Sequence, residues 1–175
     1  MSRAPMMTEA HGDLLKADVD ALVNAVNTVG VMGKGIALQF RRAYPEMYAA
    51  YVRACRAGEV AVGRMHLWAT GAATGPRYVV NFPTKKHWRS GSQFAYIDDG
   101  LVDLVRVIQE YRIGSIAIPP LGTGHGGLDW VEVRPRIEAA LGGLADVEVR
   151  LYVPPCQNQA RSHDRGGPSG RTEHP

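Results

Sequence analysis

Between Met6 and Val153 short apolar runs alternate with longer stretches of helical period. Ala21 to Val26 is a compact β-prone run that ends in polar turn residues. Gly35 to Tyr44 and Pro45 to Ala57 read as consecutive helices, Pro45 standing at a first helical position where an N–H is not needed. Met65 to Thr70 and Tyr78 to Phe82 read as strands flanking the turn-like segment Gly71 to Pro76. Ile97, Leu101, Leu104, Val105, Ile108 and Tyr111 keep the three-to-four spacing of an amphipathic helix. Ser115 to Pro119 is a short buried strand running into a glycine-rich loop. Val131 to Leu144 follows as a helix that tolerates Pro135 only near its start, and Val147 to Val153 is the last strand. A weak opening strand precedes Gly12. Strands alternating with helices predict an α/β domain with its central sheet covered on both faces. In such sheets ligands sit beyond the carboxyl ends of the strands.

Past Val153 the apolar periodicity vanishes, and Gln, Asn, Ser, Gly, Arg and Pro take over. The expected organisation is one domain over 1–153, then a disordered tail or the start of a linker over 154–175.

A chain of 175 residues with 45% hydrophobic and 21% charged positions is long enough for its own core. That balance excludes collagen-like, coiled-coil and wholly disordered chains. No run approaches the roughly 20 apolar residues of a membrane span. Met1 to Ala10 lacks the charged start and apolar stretch of a secretory signal. The two cysteines, Cys55 and Cys156, make no metal or redox spacing, and His11, His66, His87 and His125 are not paired. The expected setting is the cytoplasm, with no membrane partner, no metal, no cofactor and a monomer as the default. The net charge of +3 is too small to argue by itself for nucleic acid. Its placement says more: Lys85, Lys86, His87, Trp88 and Arg89 are contiguous, and Arg41-Arg42 form a second small cluster. Alone, both read as solvated basic surface.

Three motifs fall at predicted strand ends. Gly12-Asp13-Leu14 offers a carboxylate that suits either an exocyclic amine or a helix cap. Asn24 and Asn27 are followed by Thr28, Gly30, Gly33, Lys34, Gly35, Ile36 and Ala37. Amides suit ribose hydroxyls, and glycines before a helix let backbone N–H groups approach phosphate. The spacing is neither a Walker loop nor a dinucleotide fingerprint. The third motif runs through Leu121, Gly122, Thr123, Gly124, His125, Gly126, Gly127 and Leu128 to Asp129 and Trp130, a second anion-cradling loop. Two such loops together point to a bound diphosphate.

The strings N-x-x-N-x-x-G-x-M-G-x-G-I-A and G-x-G-x-G-G-L-x-W resemble the macrodomain family, across roughly residues 7 to 153. Within it the chain is similar to the DarG type, the DNA ADP-ribosyl glycohydrolase antitoxins, and to the related terminal ADP-ribose glycohydrolases. The resemblance implies a three-layer α/β/α sandwich with a central mixed sheet and an ADP-ribose ligand. Asp13 and Leu14 match the adenine contacts, and Asn27 matches the asparagine that holds the ribose next to the scissile bond, with Asn24 beside it. Gly33 to Ala37 match the first phosphate loop, and Leu121 to Leu128 the second. Lys85, following Thr84, matches the catalytic lysine, with Lys86 one position away as the alternative. Lys86 and Arg89 are expected to depress the lysine's pKa, and Lys86, His87, Trp88 and Arg89 to contact nucleic acid.

The terminal glycohydrolases pair their lysine with an aspartate in the second loop. Gly126 stands at that place here, as on the DarG side, while His125 stays open between a loop histidine and a catalytic one. The implied activity is hydrolysis of the bond between ADP-ribose and thymine in single-stranded DNA, reversing a DarT-like toxin as its partner. A non-catalytic ADP-ribose reader, or a hydrolase of ADP-ribosylated protein or of O-acetyl-ADP-ribose, is the alternative.

Overall fold

The computed structural model describes residues 4 and 6–155; all but the first two residues of the segment 154–175, expected as a tail or linker start, lie outside the described residues. Six strands, β1 (Met6–Ala10), β2 (Ala21–Val26), β3 (His66–Ala69), β4 (Tyr78–Pro83), β5 (Ser115–Ile118) and β6 (Glu148–Tyr152), form one sheet. Its order is β1-β6-β5-β2-β4-β3; only β3 runs antiparallel, so the sheet is mixed. Helices α1 (Gly35–Ala43) and α2 (Pro45–Arg56) cover one face, and α3 (Phe94–Glu110) and α4 (Trp130–Leu141) the other.

Strand alternation builds both cores. Along β2, Ala21 and Val23 join Val80, Phe82, Ile116 and Ile118 under α3 and α4. Leu22 and Val26 point the other way, with Val79 and Ala117, onto Phe40, Met47 and Tyr51 of α1 and α2. Helix α3 begins at Phe94, ahead of the first periodic residue, and lies close on β4. A Cβ at Gly100 would run into the Phe82 ring, which is why the middle of an amphipathic helix carries a glycine. Helix α4 accepts Pro135 inside its second turn, deeper than the sequence pattern allows. The missing N–H there releases only the carbonyl of Val131, a residue that is 76% exposed and open to water. No helix among the described residues is long and apolar enough to cross a membrane.

One polar row crosses the sheet. Register places His66 opposite Asn81 and Asn81 opposite Asn24. Asn81 Nδ2 lies 3.0 Å from His66 Nδ1, and Asn24 Nδ2 donates to Asn81 Oδ1 at 3.1 Å. Met32 and Met47 sulfurs close the row, and Asn24 Oδ1 has no hydrogen-bond partner among the described residues. Burial holds the His66 ring below its ordinary pKa, against a weaker opposing pull from Glu59. The neutral ring accepts from Asn81, whereas a protonated one would face it with a second donor. Below the ordinary histidine value of about 6.5 the unfolded chain therefore binds a proton that the folded chain refuses. Stability is expected to fall as pH drops through that window. The loss in Tm between pH 7 and pH 5 should be smaller in His66→Gln, which calorimetry checks; equal losses would refute the assignment.

Candidate functional site

The carboxyl ends of β1, β2, β4, β5 and β6 open on one rim of the sheet, and the motifs gather there. Asp13 follows β1, and its Oδ1 caps the short 3-10 turn Leu14–Lys16 by accepting from Leu15 N at 3.0 Å. Gly12, Asp13 and Leu14 line a cavity of about 430 Å³ together with Ile36, Pro119, Pro120 and Tyr152. Tyr152 is the last residue of β6, and no motif in the sequence marks it.

The two asparagines separate. Asn24 is not at the strand end: it is the fourth residue of β2, fully buried, and shares the parity of Leu22 and Val26, so its amide enters the polar row and not the rim. Asn27 stands one residue past β2 and organises the following loop. Its Oδ1 accepts from Val29 N at 3.0 Å and from Val31 N at 3.4 Å, and its Nδ2 donates to Val31 O at 2.7 Å. Tyr51, fully buried on α2, donates its hydroxyl to Asn27 Oδ1 at 3.0 Å and Asn27 O at 2.7 Å. A flipped amide would set Nδ2 against three donors. The orientation is therefore fixed, and Nδ2 carries a second hydrogen besides the one given to Val31 O.

Lys85 stands two residues beyond β4. The β2–β4 register brings Val26 opposite Pro83, and Thr84 N donates to Val26 O at 2.9 Å. Thr28 Oγ1 donates to Lys86 O at 2.7 Å, so the segment after Asn27 and the lysine segment are stitched together. Lys85 Nζ donates to the Trp88 carbonyl at 3.1 Å. Its pKa is lowered, first by burial and then by the positive charge of Lys34. The expectation that Lys86 and Arg89 supply that charge is corrected. Lys86 Nζ lies over the Tyr96 ring at 5.8 Å and the Arg89 guanidinium over Trp88 at 4.5 Å, each drawn to an aromatic face. His87 stacks against Trp88 with centroids 5.2 Å apart.

The first glycine loop ends at Lys34, and Gly35 opens α1 at φ +56°, a conformation that favours glycine. A Cβ there would lie 3.9 Å from His125 Cδ2, so the first and second loops face one another at their tips. Within the second loop Thr123 Oγ1 donates to Pro120 O at 2.8 Å and Leu128 N to Gly122 O at 3.0 Å, folding Gly122 to Gly127 into a tight cradle. His125 is exposed at its crest. Asp129 caps α4 by accepting from Val131 N at 3.0 Å, and is committed there. Ser92 joins this loop to the lysine segment. Its N donates to Gly126 O at 2.8 Å and its Oγ to Thr84 O at 2.5 Å. No spacing in the chain signals it.

This fold and rim are those of a macrodomain: the Macro domain family model matches residues 23–137, and the chain belongs to that family. Its relatives include the DNA ADP-ribosyl glycohydrolase of Mycobacterium tuberculosis, 58% identical over 149 residues, 85% of this chain and 42% of that protein. The chain thus spans less than half the length of that relative. The solved macrodomain of Mycobacterium tuberculosis DarG superposes with a TM-score of 0.85 at 58% identity, covering 86% of this chain and 99% of that one. Thermosipho africanus DarTG in complex with ADP-ribose matches at a TM-score of 0.81 and 30% identity, over 88% of this chain and 43% of that one.

Proposed function

We propose that the chain is a DNA ADP-ribosyl glycohydrolase domain that removes ADP-ribose from thymine in single-stranded DNA and so reverses a DarT-like toxin. The observation that carries the reading is the half-buried Lys85, depressed in pKa and stitched beside Asn27 at the strand ends. The similarity to proteins named for that activity supports it.

Asp13 and Leu14 at the 430 Å³ cavity take the adenine end. The backbone from Gly33 to Ala37 and from Leu121 to Leu128 holds the diphosphate, and Asn27 donates to the distal ribose. Binding energy from that remote half positions C1 of the ribose at Lys85. The neutral Lys85 amine forms a C=N bond to C1 as the C1–O4′ bond and the bond to the thymine nitrogen break; the two amine protons end on O4′ and on that nitrogen. Water then hydrolyses the resulting C=N bond, releasing ADP-ribose and restoring the amine. A depressed pKa supplies the neutral amine nearer physiological pH. Lys86, His87, Trp88 and Arg89 meet the DNA beside the scissile bond.

The test is release of free ADP-ribose from a single-stranded oligonucleotide ADP-ribosylated on thymine. Release by the wild-type protein is the expected result. Binding of ADP-ribose without release would favour the reader instead. On the same substrate Trp88→Ala is expected to lower kcat/KM about tenfold, the scale of removing one base–aromatic stack, while the Kd for free ADP-ribose stays within about twofold. Equal losses in both assays would refute the base contact.

A further inference from the structure

Arginine–aromatic pairs stand on both sides of the loop that follows Asn27. On one side the Arg89 guanidinium covers Trp88, which is 40% exposed, in the segment that Thr28 ties to this loop through Lys86 O. On the other the Arg41 guanidinium lies 4.4 Å from the centroid of Tyr48, whose hydroxyl reaches Gly30 O of the same loop at 3.4 Å. Between them the loop presents Val29, 47% exposed, and Val31, 37% exposed. Arg41 opens the Arg41-Arg42 cluster of the sequence, at the last turn of α1, and the lysine mechanism makes no use of it.

We propose that this surface is a path for the unmodified part of a single DNA strand, running from Trp88–Arg89 over Val29 to Tyr48–Arg41. The proposal rests on the function proposed above and extends it from the modified nucleotide to its neighbours. Single strands are held where cationic side chains track the phosphates and flat or apolar side chains meet bases without regard to sequence. Both elements occur here in alternation, and they begin at the lysine segment where the modified base is held. A guanidinium resting on a ring keeps its charge and donors free for phosphate while the ring limits its rotamers, which lowers the entropic cost of engaging a strand. The charge complements the DNA backbone, and Val29 and Val31 present apolar side chains that are 47% and 37% exposed.

The experiment compares two substrates, a single-stranded 20-mer ADP-ribosylated at one central thymine and the ADP-ribosylated thymidine mononucleotide. The ratio of kcat/KM on the 20-mer to that on the mononucleotide is measured for wild type, Arg41→Ala, Arg41→Glu, and Arg106→Ala, which removes an equal charge from α3 behind the sheet. Arg41→Ala is expected to lower the ratio about fivefold and Arg41→Glu further. Arg41→Ala should also flatten the dependence of log KM on log salt by about 0.7 for each phosphate it no longer neutralises. A ratio in the Arg41 variants equal to that of Arg106→Ala would overturn the path and leave the Arg41–Tyr48 contact as helix packing. Should the wild type hydrolyse neither substrate, the activity fails separately, and the salt slope for binding unmodified oligo(dT) decides. A smaller slope in Arg41→Ala supports the path, and an unchanged slope overturns it.

Discussion

Lys85→Ala is expected to reduce release of ADP-ribose from ADP-ribosylated single-stranded DNA by at least about 10³-fold, the scale on which loss of a covalent nucleophile registers. Affinity for free ADP-ribose should stay near wild type, because the proposed function assigns the diphosphate to backbone of other loops. Lys86→Ala is the control: its ammonium lies toward Tyr96, and its loss should leave turnover within a few-fold of wild type. Activity lost with Lys86 and kept without Lys85 would move the nucleophile by one position. The lowered pKa makes a further claim. In the proposed mechanism the reactive species is the neutral amine, so kcat is expected to rise with pH through the Lys85 pKa. Removing the charge of Lys34 lets Lys85 hold its proton longer, and Lys34→Ala should shift that rise to higher pH. A pH–rate profile with the rise in place would leave burial as the whole cause.

The second large effect is expected from a swap of a single atom. Asn27→Asp keeps the shape of the side chain and the Oδ1 that accepts from Tyr51, Val29 and Val31. It replaces the Nδ2 donor with an oxygen facing the Val31 carbonyl, 2.7 Å away. Two acceptors then oppose each other at a position only 4% exposed. Destabilisation of about 2–4 kcal/mol at neutral pH is expected, with kcat down about 10²-fold as the donor proposed for the ribose is lost. The sign of the pH dependence identifies the cause. Protonation of the introduced carboxylate would restore a donor to Val31 O, so its folded pKa is raised above the unfolded value. The stability it contributes is full below the ordinary carboxylate pKa and is lost as pH rises through the folded one. The variant should thus gain on the wild type on acidification, in urea melts at pH 4.5 against pH 7. A constant gap between the two would show that the Val31 carbonyl is not what the carboxylate meets.

Most elements follow from periodicity because each buries one face. Alternation in Ala21 to Val26 and the three-to-four stripe of α3 leave little freedom. The same alternation already separates the asparagines: Asn24 falls inside the strand on the Leu22 side, and only Asn27 is past its end. The charge beside Lys85 is illegible for a different reason. Proximity along the chain points to Lys86 and Arg89, whereas folding delivers Lys34 from the start of α1 and turns the near neighbours onto rings. Tyr51 reads as one more member of the Met47–Tyr51–Ala54 core stripe, since a hydrophobic pattern carries no record of where a hydroxyl ends. Ser92 sits in the loop before α3, and its partners, Thr84 and Gly126, meet only after β4 and the second loop are in place.

That serine ties the lysine segment to the second glycine loop. The cradle leans on it from several sides: a Cβ at Gly126 would approach Ser92 Cβ to 3.2 Å, and one at Gly122 would approach Ser92 Oγ to 3.1 Å. Ser92 thus links the packing of the second loop to Thr84, the residue before Lys85. Under the proposed function, this linkage joins the loop that would hold the diphosphate to the segment that carries Lys85. On that reading, a ribosyl–thymine fragment without the adenylate half would leave the second loop's side of the linkage unoccupied.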